Sequence, residues 1–504
     1  MRDQASAAKP ASPSRIKRKQ PRIDFRANVR AVDPSIPAAI HNATAKFLAT
    51  RESAIESVGV EQWERLRQAG HDVRLHTISY LDHYLSMLEE RVTATGGYVH
   101  WARDADEACA IVLEIAHKHQ VKRAVKVKSM VSEEIQLNGA LIQAGIEPLE
   151  TDLGEFIVQL MGTGPSHVLT PAIHLTKEDI GHLFSQRLGV QPSSSPAELT
   201  AAARRVLRNA FLSAELGLSG ANFLVAETGT LVLVTNEGNG RMCSTLPPLH
   251  VAVVGIEKVV PDMQSVGLLL KLLARSGTGQ QLTAYTSFIR GPVTSEHERG
   301  PKELHVVLLD NGRSRALQDP IMREALLCIR CGVCLNVCPV YNQVGGYAYG
   351  NVYSGPIGSI LAPQLLGMRT ASDLPFASTL CGACADYCPV KIPIPEILLR
   401  LRRRVAEGDA QEGPQLPLGL RLGASMAART LGSPRLYDAA TRVAGAAQLP
   451  WRRDGWLARL PSPLSRWTMA RPFPAFRPRF QRWWREISQT PAGQRRMKHM
   501  RETR

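Results

Sequence analysis

The chain has no apolar run long enough to cross a bilayer. The nearest stretch, Val266 to Ala274, is interrupted by Lys271, and a spanning helix needs about twenty mainly apolar residues. The opening residues hold no apolar segment of the kind that begins a secretory signal, so none is expected. Cysteine is nearly absent outside one stretch, with only Cys109 and Cys243 of the nine lying elsewhere. That argues against a disulfide framework, and a chain of 504 residues can bury a core without one. A reducing, cytoplasmic setting is expected, with metal ligation as the use of the thiols. No internal repeat is visible beyond one pair of cysteine runs.

Acidic residues are scarce at both ends. Residues 1–30 hold nine Lys/Arg against two Asp, and residues 411–504 hold eighteen against five, within a total charge of +16. The body between them is slightly acidic, so basicity is a property of the ends rather than of the whole surface. The run Arg15 to Lys19 reads as part of a solvated arm, and nucleic acid is not the expected partner. Five of the seven tryptophans lie in the basic tail, at Trp451, Trp456, Trp467, Trp483 and Trp484. Arginine mixed with tryptophan suits a partner-facing surface, self-packing, or peripheral contact with the inner face of a membrane.

Between the ends the pattern changes twice. Apolar residues recur at threes and fours from about Asp33 to Met87, which is helical spacing. From about residue 97, strands and helices alternate, which argues an α/β domain with a largely parallel central sheet. Expected strands include Arg123–Lys128, Ile146–Asp152, 221–226, Thr230–Thr235, His250–Gly255, 282–289 and Leu304–Leu309. Val131 to Gly145 reads as one helix. Ser195-Pro196-Ala197-Glu198 reads as a helix start, with a serine N-cap, proline at the first position and glutamate at the third. That helix is expected to run to about Gly217. Residues 315–327 and 395–406 read as helices flanking the cysteines. The expected divisions are a disordered basic arm over 1–32, a helical segment over 33–96, an α/β domain over 97–312, a ferredoxin-type α-helical domain over 313–410, and a basic region rich in Trp, Arg and Pro over 411–504.

The chemistry sits in residues 328–390. The first run is Cys328-Ile-Arg-Cys331-Gly-Val-Cys334-Leu-Asn-Val-Cys338-Pro339, and the second is Cys381-Gly-Ala-Cys384-Ala-Asp-Tyr-Cys388-Pro389. The first has bacterial-ferredoxin spacing, in which three thiolates on a tight turn reach three irons of one cube and the cysteine before proline ligates the other. That crossing puts Cys328, Cys331, Cys334 and Cys388 on one [4Fe–4S] cluster and Cys338, Cys381 and Cys384 on a second. Structural zinc, which takes its ligands as two separated pairs, does not fit four cysteines within eleven residues. The second run has Ser378 where its first cysteine should stand. Ser378 could ligate as an alkoxide, the iron could be missing to leave a [3Fe–4S] cluster, or the position could take water, substrate or a partner's ligand. Cys109 and Cys243, the other thiols in the chain, are candidate donors to that position from elsewhere in the sequence. Cys109 lies in a helical pattern where a buried thiol is ordinary. Glu227, in the turn Glu227-Thr-Gly-Thr230, is a weak catalytic candidate, since a carboxylate at a strand end can act as nucleophile or base. His167 and His174 lack partners at ligand spacing and read as structural.

Three segments carry a family resemblance: Cys328 to Tyr341, the glycine-rich Gly345-Gly-Tyr-Ala-Tyr-Gly-Asn-Val-Tyr-Ser-Gly-Pro-Ile-Gly358, and Leu380 to Ile392. Together with Ala226–Thr230 and Thr151–Glu155, they make residues 60–480 resemble the lactate utilization protein B family, the iron–sulfur subunit of a bacterial L-lactate oxidation system. The seven-cysteine pattern matches that family. The resemblance implies an α/β lactate-utilization domain similar in fold to phosphosugar isomerases and CoA transferases. It implies electron transfer during oxidation of L-lactate to pyruvate, as a subunit of a multi-subunit dehydrogenase. It also implies two partner proteins, one cysteine-rich and one a lone α/β domain, and an electron acceptor that the sequence does not name. The alternatives are an α/β enzyme acting on a CoA ester or sugar phosphate with structural clusters, or an iron–sulfur redox sensor. Fold analogy alone gives Glu227 no chemistry.

Overall fold

The computed structural model describes residues 21–295, 300–408 and 412–460, together with 465, 468, 471–475, 480–491 and 494. The chain divides into two compact units, Met1–Gln415 and Leu416–Arg504.

The first unit is built on a six-stranded parallel sheet. Its strands are β1 (Tyr98–Ala102), β2 (Arg123–Lys126), β3 (Glu147–Glu150), β4 (Leu216–Ser219), β7 (Leu249–Gly255) and β10 (Glu303–Leu309), in the order β1-β10-β7-β4-β2-β3. Side chains alternate across a strand, and both faces are covered. Val251, Val253, Val307 and Leu309 pack with Ala108, Val112 and Ile115 of helix Ala105–Lys118. Their neighbours Ala252, Val254, Val306 and Leu308 pack with Leu81, Leu85, Leu88 and Val92 of helix Leu81–Ala94. Burial on both sides is why these strands read as continuous apolar runs. A second, mixed sheet joins β8 (Val259–Val260), β5 (Phe223–Val225), β6 (Thr230–Thr235) and β9 (Tyr285–Ile289) in that order.

Helices Ile36–Glu56 and Val60–Ser79 precede the sheet, and the cysteine region that follows it is helical. Its main members are Val333–Asn336, Pro339–Val344, Gly355–Leu366, Ala383–Asp386 and Ile394–Glu407. The α/β and cysteine regions meet closely. A side-chain carbon at Gly346 would overlap the Ser166 carbonyl, so only glycine fits there. In the second unit, helices Leu418–Gly432 and Pro434–Ala447 lead to three short antiparallel strands at 452–453, 456–457 and 473–474.

Several expectations change. The arm expected to be disordered over 1–32 is ordered from residue 21: Ile23 is buried, its N–H donates to the Thr370 carbonyl, and Phe25–Arg30 is a helix capped by Asp24. Residues 1–20 lie outside the described residues. The helix expected over 131–145 is two helices, Met130–Glu134 and Leu137–Gln143, broken where Gln136 takes a left-handed φ of 53°. The helix from Pro196 stops at Ser213, and the next residues form β4, buried at the centre of the sheet. Its pattern Leu-Gly-Leu-Ser is too short to show a period, so position in the sheet decides it. Ser195 makes no side-chain cap; its N–H donates to Ser193 Oγ at 3.0 Å, and Ser193 donates to Glu198. Residues 315–327 are a short helix, Arg313–Leu317, and a 3-10 segment, Met322–Leu327.

Candidate iron–sulfur centre

The two cysteine runs adopt the same backbone. In the first, Arg330 has φ 63° and Gly332 φ 75°; in the second, Leu380 has φ 56° and Gly382 φ 89°. Each glycine then caps a one-turn helix, Val333–Asn336 or Ala383–Asp386. A left-handed non-glycine costs about 1–2 kcal/mol, and both runs accept it at the same register. The Arg330 N–H donates to Cys328 Sγ at 3.4 Å, and the Leu380 N–H donates to Ser378 Oγ at 3.1 Å. Ser378 is therefore the structural counterpart of Cys328.

The thiols gather into two sets. Cys328, Cys331, Cys334 and Cys388 line one cavity, walled by Val168, Ile329, Val333, Ile357, Val390, Ile392 and Ile394. Cys388 reaches it from the second run. Cys338, Cys381 and Cys384 form the other set: Cys381 adds to the upward push on the Cys338 thiol, and both add to that on Cys384. Burial and neighbouring thiols push Cys331 and Cys334 well above the usual thiol range, and burial raises Cys388 to about 11 and Cys384 to about 12. Crowded, dry sulfurs of this kind need cations to become thiolates. Backbone amides stand ready for them: Tyr341 N–H donates to Cys338 Sγ at 3.5 Å, and Ile392 N–H to Cys388 Sγ at 3.4 Å. The donor set fits sulfur-ligated iron clusters.

The first set has a basic surround. Arg74, fully buried on helix Val60–Ser79, donates to the carbonyls of Val259 at 2.8 Å, Leu326 at 3.1 Å and Leu327 at 3.3 Å, and to that of Glu257. One face of the same helix carries Arg67, which grips the Cys388 carbonyl at 2.9 and 3.0 Å and that of Asp386 at 2.7 Å. Arg51 lies over the Tyr387 ring at 4.5 Å. Arg330 stacks on Tyr353 at 4.8 Å and pairs with Glu257 at 3.3 Å. Burial lowers Lys258 to about 7, with Arg330 adding to the effect.

A buried ion lattice joins this region to the C-terminal ends of the sheet strands. Arg313, after β10, holds Glu134 with two bonds of 2.9 Å and Glu257, after β7, at 2.5 Å. The Tyr353 hydroxyl donates to Glu134 at 2.6 Å. Beside it, Lys126 is clamped by Glu133 at 2.5 Å and Glu150 at 2.7 Å. Burial raises Glu155 to about 8, with Glu150 reinforcing the shift.

Relatives agree with this geometry. The chain is 42% identical over 455 residues to lactate utilization protein B of Bacillus cereus (strain AH820), covering 90% of this chain and 94% of that protein. The same values hold for the Bacillus thuringiensis (strain Al Hakam) and Bacillus anthracis (strain A0248) proteins of that name. The chain belongs to the lactate utilization protein B family. Within this member of the family, residues 85–309 match the LUD domain and residues 324–392 the 4Fe-4S dicluster domain. The first is the parallel-sheet α/β region, and the second implies two [4Fe–4S] clusters. It is thus a lactate-utilization iron–sulfur protein. Among solved structures, a DUF162 family protein from Deinococcus radiodurans aligns at TM-score 0.26 and 14% identity, over 45% of this chain and 98% of that one. That likeness carries no weight here.

The remaining candidates fall elsewhere in this lactate utilization protein B relative. Glu227 is exposed at the tip of the β5–β6 hairpin, and its N–H donates to the Pro261 carbonyl. Cys109 packs in the sheet core and donates to the Ile135 carbonyl at 3.4 Å. Cys243 is fully buried against Thr151 at 3.3 Å, and burial raises its thiol to about 12. Both lie in the α/β core rather than in either thiol set. His167 is structural: its Nδ1 accepts from Leu169 N–H at 3.1 Å, and its Nε2 meets Asn336 Oδ1 at 3.1 Å. The Tyr347 hydroxyl meets His174 Nε2 at 3.3 Å.

The basic surround and ion lattice are what sequence reasoning missed. Their members lie up to 302 positions apart (Arg51 and Tyr353), and single charged residues on helices read as surface. Only the spacing of Arg67 and Arg74, seven apart on one helical face, offered a signal. Among the described residues no helix is long and apolar enough to cross a membrane.

Proposed function

We propose that this chain is the electron-transfer subunit in the oxidation of L-lactate to pyruvate. Cys328, Cys331, Cys334 and Cys388 would hold cluster one, and Cys338, Cys381 and Cys384 cluster two. The observation that carries the reading is the pair of superposable cysteine turns with crossed thiols, Cys388 lining the first run's cavity. When bound, two such clusters supply two one-electron steps, matching the two electrons that leave lactate with two protons.

The chain's own residues prepare that role. The apolar wall of Val168, Ile329, Ile357 and Ile394 excludes water from cluster one. The amides of Arg330, Tyr341 and Ile392 donate to the ligating sulfurs. Cys381 is exposed, which makes the second set the edge for exchange with a partner. Ser378, in the register of Cys328, accepts from the Leu380 amide; the fourth position of cluster two would take this oxygen, water or a ligand from outside, or lack its iron as a [3Fe–4S] cluster. Two further lactate-utilization proteins, one cysteine-rich and one a lone α/β domain, are the partners we assign. Residues 411–504 are the segment we assign to partner or peripheral membrane contact.

The test is anaerobic counting of iron and sulfide, with EPR before and after addition of L-lactate and the partner proteins. About eight irons per chain and a signal reduced only with lactate and partners together support the reading. Fewer than about six irons, or no reducible signal, overturn it.

A further inference from the structure

We propose that the α/β domain carries a zinc site of its own, formed by His119, Glu303 and His305 at the end of the sheet away from the thiol sets. The site stands independently of the cluster assignment above.

Two elements bring the three side chains together. Glu303 and His305 open β10 two residues apart, so both lie on one face of the strand. The ion lattice around Arg313 follows the other end of that strand. His119 follows the last turn of helix Ala105–Lys118, where the helix dipole favours a cation. One ligand atom from each residue lies within 4.8 Å of the other two. Glu303 Oε2 stands 3.1 Å from His305 Nε2 and 3.3 Å from His119 Nε2. A tetrahedral zinc with bonds of about 2.0–2.1 Å spaces its ligands about 3.3–3.4 Å apart, so these separations are close to those of a coordination shell.

Hydrogen bonding alone accounts for His305 and leaves His119 over. His305 Nε2 bonds Glu303 at 3.1 Å. His119 Nε2 is buried and has no hydrogen-bond partner among the described residues, since its 3.3 Å contact with Glu303 lacks the alignment of one. A buried ring nitrogen left in this way calls for a ligand. His305 is also oriented as a metal-binding imidazole is. Its ring stacks on Tyr98 at 4.8 Å and 15°, and its Nδ1 meets His100 Nε2 at 3.0 Å. With the proton on Nδ1 donated to His100, His305 presents a bare Nε2 to the ion. An outer partner of this kind fixes the tautomer and orientation of a zinc-bound histidine. Two imidazoles and a carboxylate suit zinc, whereas magnesium and calcium take oxygen ligands. His119 and Glu303 are partly exposed, so an ion can reach them. Once bound, it would fasten the end of helix Ala105–Lys118 to β10, beside the edge strand β1 that carries His100.

The experiment uses full-length, cluster-loaded protein, freed of loose metal with a chelator and dialysed anaerobically against micromolar zinc chloride. About one zinc per chain should remain beside the iron, and zinc K-edge X-ray absorption should show nitrogen and oxygen at about 2.0–2.1 Å with no sulfur at about 2.3 Å. His119→Gln and Glu303→Gln, both at partly exposed positions, should each weaken zinc binding by about tenfold or more with iron content unchanged. Zinc should raise the urea midpoint of the parent and leave that of His119→Gln where it is. A parent that retains no zinc, a zinc shell made of sulfur, or variants that bind as the parent does would each overturn the site. If Glu303→Gln fails to fold, His119→Gln decides by the same criteria. Zinc on nitrogen and oxygen with too little iron fails the two-cluster reading alone, whereas full iron without zinc fails this site alone.

Discussion

The two cysteine turns share their dihedral pattern and differ in almost everything around it. The first is buried, packed under helices that begin near the start of the chain, with Arg74 gripping the Leu326 and Leu327 carbonyls just before Cys328. The second has Cys381 in solvent and a serine in its leading position. Local sequence therefore decides where sulfurs point, and distant sequence decides what charge they feel. Two copies of a motif are equal in geometry and unequal in environment.

The comparison breaks most visibly at the thiols. Cys334→Ala should lose about four irons and destabilise the fold, since Cys334 is buried in the core. Cys381→Ala should lose the cluster-two iron with little change in unfolding midpoint. Iron counting beside denaturant titration reads both, and equal destabilisation would contradict the contrast.

Next in size is the arginine pair. Arg74→Met leaves four buried carbonyls without their donor and should cost about 3–5 kcal/mol. Arg402→Met, on the other side, should cost about 1 kcal/mol.

Ser378→Cys sharpens the contrast from the second side. It places a thiol in the register of Cys328, so the half-life of cluster-two iron loss in air should lengthen by about threefold or more. An unchanged half-life would mean that Ser378 does not face the cluster.

Beside the first turn the contrast also shows as a pH slope. Burial, with Lys128 adding to it, lowers His167 to about 3, below the unfolded value of about 6.5. The unfolded chain therefore binds the proton first. Stability from this group is complete above about pH 6.5 and falls as pH drops toward 3, by about 2 kcal/mol at pH 5. His167→Gln should flatten that limb of the urea-midpoint profile between pH 7 and 5. Gly332 of the first turn lies against His167.

Much of this was legible in the sequence. The cysteine spacing pointed to the four thiols that line one cavity, because each position in the run depends on three or four neighbours. The alternation of apolar runs carried the parallel sheet, because β7 and β10 are buried on both faces over seven and six residues. β4 escaped because four residues after a helix show no period, and its identity comes from lying between β7 and β2. The break at Gln136 escaped because glutamine is an ordinary helix residue. Ile23 and Phe25 were hidden within a basic arm. Ile23 bonds Thr370 and Phe25 packs on Tyr349, each more than 300 positions away.

The lattice of Glu134, Arg313, Glu257, Arg330 and Tyr353 bears on modularity. Its members come from both matched domains, and each fragment cut between residues 309 and 324 would retain buried charges stripped of their counter-ions. Such fragments would not be interchangeable parts. A cluster-bearing half grafted onto a different α/β scaffold would have to bring a partner for Arg330 with it, so the two halves are free to diverge only as a matched pair.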